Sequence, residues 1–182
     1  MNKICSRLTK AMLLLFVAVG FASCNSEDDL DPMAIKSINA EYSVKLNQLW
    51  FDYYDIQIQY RDERGELSSF ALTDPEEWSY SFSLKPEKAP QRYSFKVLAT
   101  PRKDYPAIDN NMKYVFEKDI VYEFYSIRNN GEVYKELHGD LYPFSGSVND
   151  DEIFKGSELS TRMGSDHTYT LCGFDRTWDG KY

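Results

Sequence analysis

Trp78-Ser79-Tyr80-Ser81-Phe82-Ser83-Leu84 alternates without a break: every even position is apolar and every odd one is serine. Successive side chains of a strand point to opposite faces, so this period of two lays the large groups on one side and the hydroxyls on the other. A helix would mix them around its circumference. The segment therefore predicts a strand with one buried and one wet face. The same period recurs at Tyr42, Val44 and Leu46, at Ile56, Ile58 and Tyr60, and at Tyr93, Phe95, Val97 and Ala99.

Turn signals separate these runs. Asp62-Glu63-Arg64-Gly65 predicts the turn of a hairpin from Tyr54 to Leu72, and a proline-containing turn spans Lys85 to Gln91. Trp50 to Ala99 reads as a meander of three or four strands, with Trp78 in the core. Thr100 to Asn111 is a longer loop, and Tyr114 and Phe116 open the next strand. Ile120 to Ile127 is rich in β-branched and aromatic residues and reads as buried on both faces. Asn129-Asn130-Gly131 suits a tight turn before a return arm, Val133 to Leu137. A last strand is expected near Thr168 to Phe174. Helix is expected only as one short turn within Asp150 to Leu159. Seven to nine strands with regular turns predict an all-β fold, an antiparallel β-sandwich of immunoglobulin- or fibronectin-like topology. A transthyretin-like sandwich or a β-barrel is the alternative.

The N-terminus carries a different signal. Lys3, Arg7 and Lys10 precede Ala11–Ala22, a run of 12 residues without a polar side chain. A membrane span needs about 20 apolar residues, so the run is too short to stay in a bilayer. It is followed by Ser23-Cys24, and the whole reads as a signal peptide over residues 1–23. A cysteine at the cut resembles a bacterial lipoprotein signal, which implies lipidation of Cys24, although Phe21 departs from the aliphatic residue preferred there. Ser26, Glu27, Asp28 and Asp29 follow directly. Cys-Asn-Ser-Glu-Asp-Asp resembles the export signal of Bacteroidota surface lipoproteins. That resemblance covers only residues 1 to about 30. It implies an outer-membrane, cell-surface location with the membrane reached through the N-terminal lipid. Residues 24–32 then form an acidic tether, and 33–182 a single domain.

Removing the signal takes three bases and no acid, so 21 basic and 29 acidic residues become 18 and 29, a net charge of −11. Such a charge repels nucleic acid, which is excluded as a partner. Of three cysteines, Cys5 leaves with the signal and Cys24 takes the lipid, so no internal disulfide can form. Cys172, in Tyr169-Thr170-Leu171-Cys172-Gly173-Phe174, is expected to be a small buried residue rather than a nucleophile.

Catalytic signals are lacking. The two histidines are His138 and His167, and Ser145 could be paired with either, but no nucleophile-elbow sequence surrounds it. Two histidines and one cysteine make no zinc site. Asp109-Asn110-Asn111 and Asn149-Asp150-Asp151-Glu152 offer oxygens to calcium without EF-hand spacing, a weak signal for the only cofactor considered. With 29 acids, no pair stands out as a glycosidase dyad.

The chemical excess is aromatic: 3 Trp, 14 Tyr and 11 Phe. Strands favour such residues for packing. In Trp50-Phe51-Asp52-Tyr53-Tyr54, however, adjacent rings of a strand would face both sides. Trp50, Tyr105 in the long loop and Trp178 in the polar tail are therefore the candidate exposed binding rings. The expected function is a non-catalytic accessory lipoprotein that binds glycan or an envelope or surface protein. A structural or assembly subunit of an adhesin or envelope complex is the alternative, and a small hydrolase comes last.

Overall fold

The computed structural model describes residues 31–75, 77–89, 92–134 and 146–177. Met33–Tyr182 forms one compact unit. Two antiparallel sheets pack face to face as an all-β sandwich. Sheet A contains β4 (Trp78–Leu84), β1 (Ile35–Leu46) and β7 (Lys118–Arg128) in that order. The far edge of β7 is shared by β8 (Val133–Tyr134) and β9 (Gly146–Val148). Sheet B runs β11 (Tyr169–Thr177), β5 (Arg92–Pro101), β2 (Tyr54–Arg61), β3 (Leu67–Leu72). A two-stranded sheet of β6 (Lys113–Phe116) and β10 (Glu152–Lys155) lies at one end. The described residues thus hold eleven strands rather than seven to nine.

The sandwich interior is built from the period-two residues. Ile38, Ala40, Tyr42 and Val44 of β1 face Tyr93, Phe95 and Val97 of β5 and Ile58 of β2, and all are at most 2% exposed. Rings dominate the contact: Tyr93 meets Phe124 edge-on at 5.0 Å, and Phe124 meets Phe174 at 5.4 Å. These packed aromatics contribute about 1.5–3 kcal/mol per buried side chain, and Cys172, the one cysteine among the described residues, is free. Every buried apolar side chain among the described residues lies between Ile38 and Cys172. A chain beginning at Asn25 therefore keeps the whole of this core.

The hairpin from Tyr54 to Leu72 forms as expected, with Gly65 at φ 78° in its turn. The meander does not. β4 leaves sheet B and pairs with β1, and β5 returns to pair with β2. Serine alternation specifies a half-buried strand and leaves open which sheet it joins. As the edge of sheet A, β4 keeps Trp78, Tyr80 and Phe82 only half-buried, so Trp78 flanks the core rather than filling it. β7 buries one face, through Lys118, Ile120, Phe124 and Ser126, and only half-covers the other. The Asn129–Gly131 turn is present, with Gly131 at φ 85°.

Two α-helices form where only one short turn, within Asp150 to Leu159, was expected. α1 (Gln48–Tyr53) replaces the strand read at Trp50–Tyr54. Residues 50, 51 and 53 share one face of a helix, and all three are buried. Asn47 fixes its start, donating from Nδ2 to the Val115 carbonyl at 2.9 Å and from its backbone N–H to Glu117 at 3.1 Å. α2 (Gly156–Met163) buries Leu159 and Met163, an i, i+4 pair. Glu158 accepts the Lys155 N–H at 2.8 Å and satisfies one free donor at its start.

The small sheet is locked to β7 by charge. Glu152 accepts from Lys118 at 2.7 Å and from Arg162 at 2.9 Å. The Lys118 side chain is only 5% exposed. The Arg162 guanidinium lies over the Tyr169 ring at 3.8 Å and the Phe154 ring at 4.7 Å.

Candidate functional site

The inward alternation of β1 turns Glu41 and Ser43 to the outer face of sheet A. Register sets Glu41 between Ser81 of β4 and Glu123 of β7, and Ser43 between Ser79 and Val121. Serine is short, so the face sinks between its longer neighbours. The result is an open depression of about 400 Å³, lined by these six residues with Tyr42 and Tyr80.

Its polar end is ordered. Tyr125 lies diagonally from Glu41 and donates its phenol proton to Glu41 Oε1 at 2.5 Å. That bond to a carboxylate, with partial burial, pushes the Tyr125 phenol up to about 12. Glu41 and Glu123 are direct cross-strand partners, an arrangement in which like charges repel. The Tyr125 proton offsets some of that repulsion. Asn39, the register partner of Tyr125, is 6% exposed and donates to Ser37 Oγ at 3.2 Å, which stiffens this end of the face.

The groove therefore presents carboxylate acceptors and serine hydroxyls, with no lysine, arginine or histidine in its lining. It suits donors such as sugar hydroxyls or an ammonium group. The two carboxylates stand side by side on one sheet face. Glycoside hydrolysis needs them on either side of the bond to be cut.

The sequence-predicted rings are not gathered here. Trp50 is wholly buried, which corrects its reading as an exposed binding ring; its indole N–H donates to the Glu117 carbonyl at 3.0 Å. Tyr105 is half-buried, packed against the core with its centroid 6.2 Å from that of Tyr53. Trp178, Cys24, Ser26, Glu27, Asp28 and Asp29 lie outside the described residues, as do His138 and Ser145. Cys172 is 7% exposed, as expected for a packing residue, and burial pushes its thiol up.

Two of the residues considered for calcium are engaged within the protein. Asp109 Oδ1 accepts the Asn111 N–H at 2.9 Å, and Glu152 is held by its two cations. Among the described residues, no group of three histidine, cysteine, aspartate or glutamate side chains is placed to hold a metal ion.

The groove itself escaped sequence reading. Its signal was the odd-position serines of Trp78–Leu84, whose wet face reads as plain solvent exposure until register sets Glu41 and Glu123 beside it. No protein-family model, no curated protein and no solved structure matches the chain.

Proposed function

We propose that this protein is a non-catalytic binding module, anchored at the outer-membrane surface through a lipid on Cys24, and that it takes a glycan in the groove of sheet A. The observation that carries the reading is the lining of that groove. Serine hydroxyls and two carboxylates converge on one open depression. Hydroxyl-rich ligands satisfy such acceptors without a deep pocket. The Bacteroidota-like signal and acidic tether support the location, and side-by-side carboxylates on an open face support binding over hydrolysis.

The test is binding of the chain from Asn25 onward to an array of purified neutral, amino-bearing and uronic polysaccharides. Specific retention that is lost with Glu41→Gln or Glu123→Gln supports the reading. A folded sample that retains none removes it. Mass spectrometry of the membrane-extracted protein addresses the anchor: a diacylglycerol-modified Cys24 at the N-terminus is expected, and an unmodified thiol would overturn the anchor alone. The competing reading is a structural or assembly subunit, and the β3 edge, paired only with β2 among the described residues, favours it.

A further inference from the structure

The first residues of β1 stand beside the ends of three other segments. Ile35 pairs with Arg128 of β7, Ile38 pairs with Leu84 of β4, and the short helical turn Pro86–Lys88 lies against β1. Ser37 pairs with Ile127, so Lys36 is the extra residue of a β-bulge and stands outside the ladder. Lys85 follows Leu84 directly. Lys36, Lys85 and Lys88 are all exposed, and none makes an ion pair among the described residues. Glu87 is the acid set among them. Met33 and Val133, more than half exposed, lie at the same end.

The opposite pole carries the reverse charge. There Leu46 pairs with Lys118 and Tyr54 with Pro101. Lys118 and Arg162 are held by Glu152, Lys103 by Asp166 and Arg102 by Asp104. Beyond these pairs, exposed Asp55, Glu117, Asp119, Asp151 and Glu158 outnumber Lys45, Lys113 and Lys155. The domain is acidic overall and also dipolar, with its cationic end where the chain enters at Met33. A field acts on that separation of charge as well as on the net charge.

We propose that the pole carrying Lys36, Lys85 and Lys88 rests on the anionic lipid headgroups of the membrane that holds the chain. The inference rests on the Cys24 anchor and is independent of the glycan groove. A nine-residue tether, 24–32, reaches about 30 Å when extended, so this pole stays close to the lipid. Weak contacts then act at high effective concentration. Each lysine near an anionic surface favours contact roughly fivefold, which makes roughly 100-fold for three. Glu87 offsets one of them. Glu27, Asp28 and Asp29 follow the anchor in sequence whichever way the domain turns, so they do not choose between the poles. With this pole down, β1 stands upright. Glu41 then sits about 20 Å above the headgroups, and its groove opens sideways.

The test uses the chain from Cys24, coupled by that thiol to a maleimide lipid in vesicles of phosphatidylcholine, with or without phosphatidylglycerol. Cys172, 7% exposed, is shielded from the coupling. Mass spectrometry then follows acetylation of each lysine. On the mixed vesicles Lys36, Lys85 and Lys88 are expected to react roughly tenfold more slowly than on phosphatidylcholine alone, with Lys113 and Lys155 unchanged. High salt should abolish the difference. Lys36→Gln combined with Lys85→Gln should remove most of the protection of Lys88 and leave the melt unchanged. Equal rates on the two vesicles, slowing at the opposite pole instead, or slowing that survives salt or the double substitution overturns the proposal. Slowing on phosphatidylcholine alone, relative to the uncoupled chain, would mean that a second copy covers the lysines, and overturns it too. The coupling supplies the anchor, so none of these outcomes depends on whether the cell lipidates Cys24, which mass spectrometry of the membrane-extracted protein decides.

Discussion

Tyr42 of β1 and Phe95 of β5 lie face to face across the sandwich, their ring centroids 4.9 Å apart and their planes 6° from parallel. The contact ties the centre of sheet A to the centre of sheet B, and it carries an unmet polar demand. The Tyr42 hydroxyl is buried with no hydrogen-bond partner among the described residues, and burial pushes the phenol far above its usual range. A buried hydroxyl without a partner costs about 1–3 kcal/mol. Tyr42→Phe is therefore expected to raise the unfolding free energy by about 1 kcal/mol, whereas Tyr42→Ala lowers it by about 3–5 kcal/mol. Denaturant titration of both variants checks the sign reversal.

Trp50 makes the opposite prediction to a binding ring. Trp50→Ala empties a fully buried site and removes one of the two hydrogen bonds to the Glu117 carbonyl, which keeps the Asn47 N–H. A loss of about 3–5 kcal/mol in stability is expected. Trp50→Phe should cost less, and where it remains folded any polysaccharide retained by the wild type should be retained equally.

Glu152 compensates a buried cation. Glu152→Ala leaves Lys118, 5% exposed, with Asp150 at 3.9 Å as its one remaining acid among the described residues. Breaking one side of a buried pair costs about 3–5 kcal/mol, and Asp150 places this case at the lower end. Combining it with Lys118→Met should recover most of the loss. A double-mutant cycle in thermal unfolding measures the coupling.

Gly156 opens α2 against the 102–112 loop. A Cβ there would stand 2.0 Å from the Asp109 carbonyl oxygen and 2.7 Å from the Asn110 Cα. Both are backbone atoms, so the loop must move. Gly156→Ala is expected to destabilise by at least about 1–3 kcal/mol despite the better helix propensity of alanine. Hydrogen exchange should localise the loss to that loop and α2.

Several phenols titrate late. Burial pushes Tyr53, Tyr54 and Tyr80 up to about 12, and the Glu41 carboxylate does the same to Tyr125. The folded state then holds protons that the unfolded chain releases near pH 10. This stabilisation is complete below pH 10 and is lost as pH rises through about 12. Part of the tyrosinate absorbance should appear late, together with unfolding. Complete ionisation of all 14 tyrosines near pH 10 in a folded sample would contradict these environments.

Much of the sandwich was legible because burial on one face imprints a period of two on the sequence. Tyr54–Leu72, Trp78–Leu84 and the Asn129–Gly131 turn are local patterns with local causes. The destination of β4 is not local, since its inward rings suit either sheet. α1 was missed because six residues are under two turns, too short for a helical period to stand out, and because adjacent rings imitate a two-faced strand. Asn47 and the three-residue spacing of Trp50 and Tyr53 were its only markers. The groove depends on register between Glu41 and Glu123, 82 residues apart in sequence, and no spacing rule reports that.

β1 enters beside the β7–β8 turn, where the Asn129 N–H bonds the Ala34 carbonyl, and then runs 12 residues between β4 and β7. Pulling on the chain from its N-terminal side loads that strand lengthwise, against ladders on both flanks. The bonds must then slide together rather than break in succession. Glu41 and Ser43 sit on the same strand, so a pull on β1 is felt at the groove and passes from it through both ladders into β4 and β7.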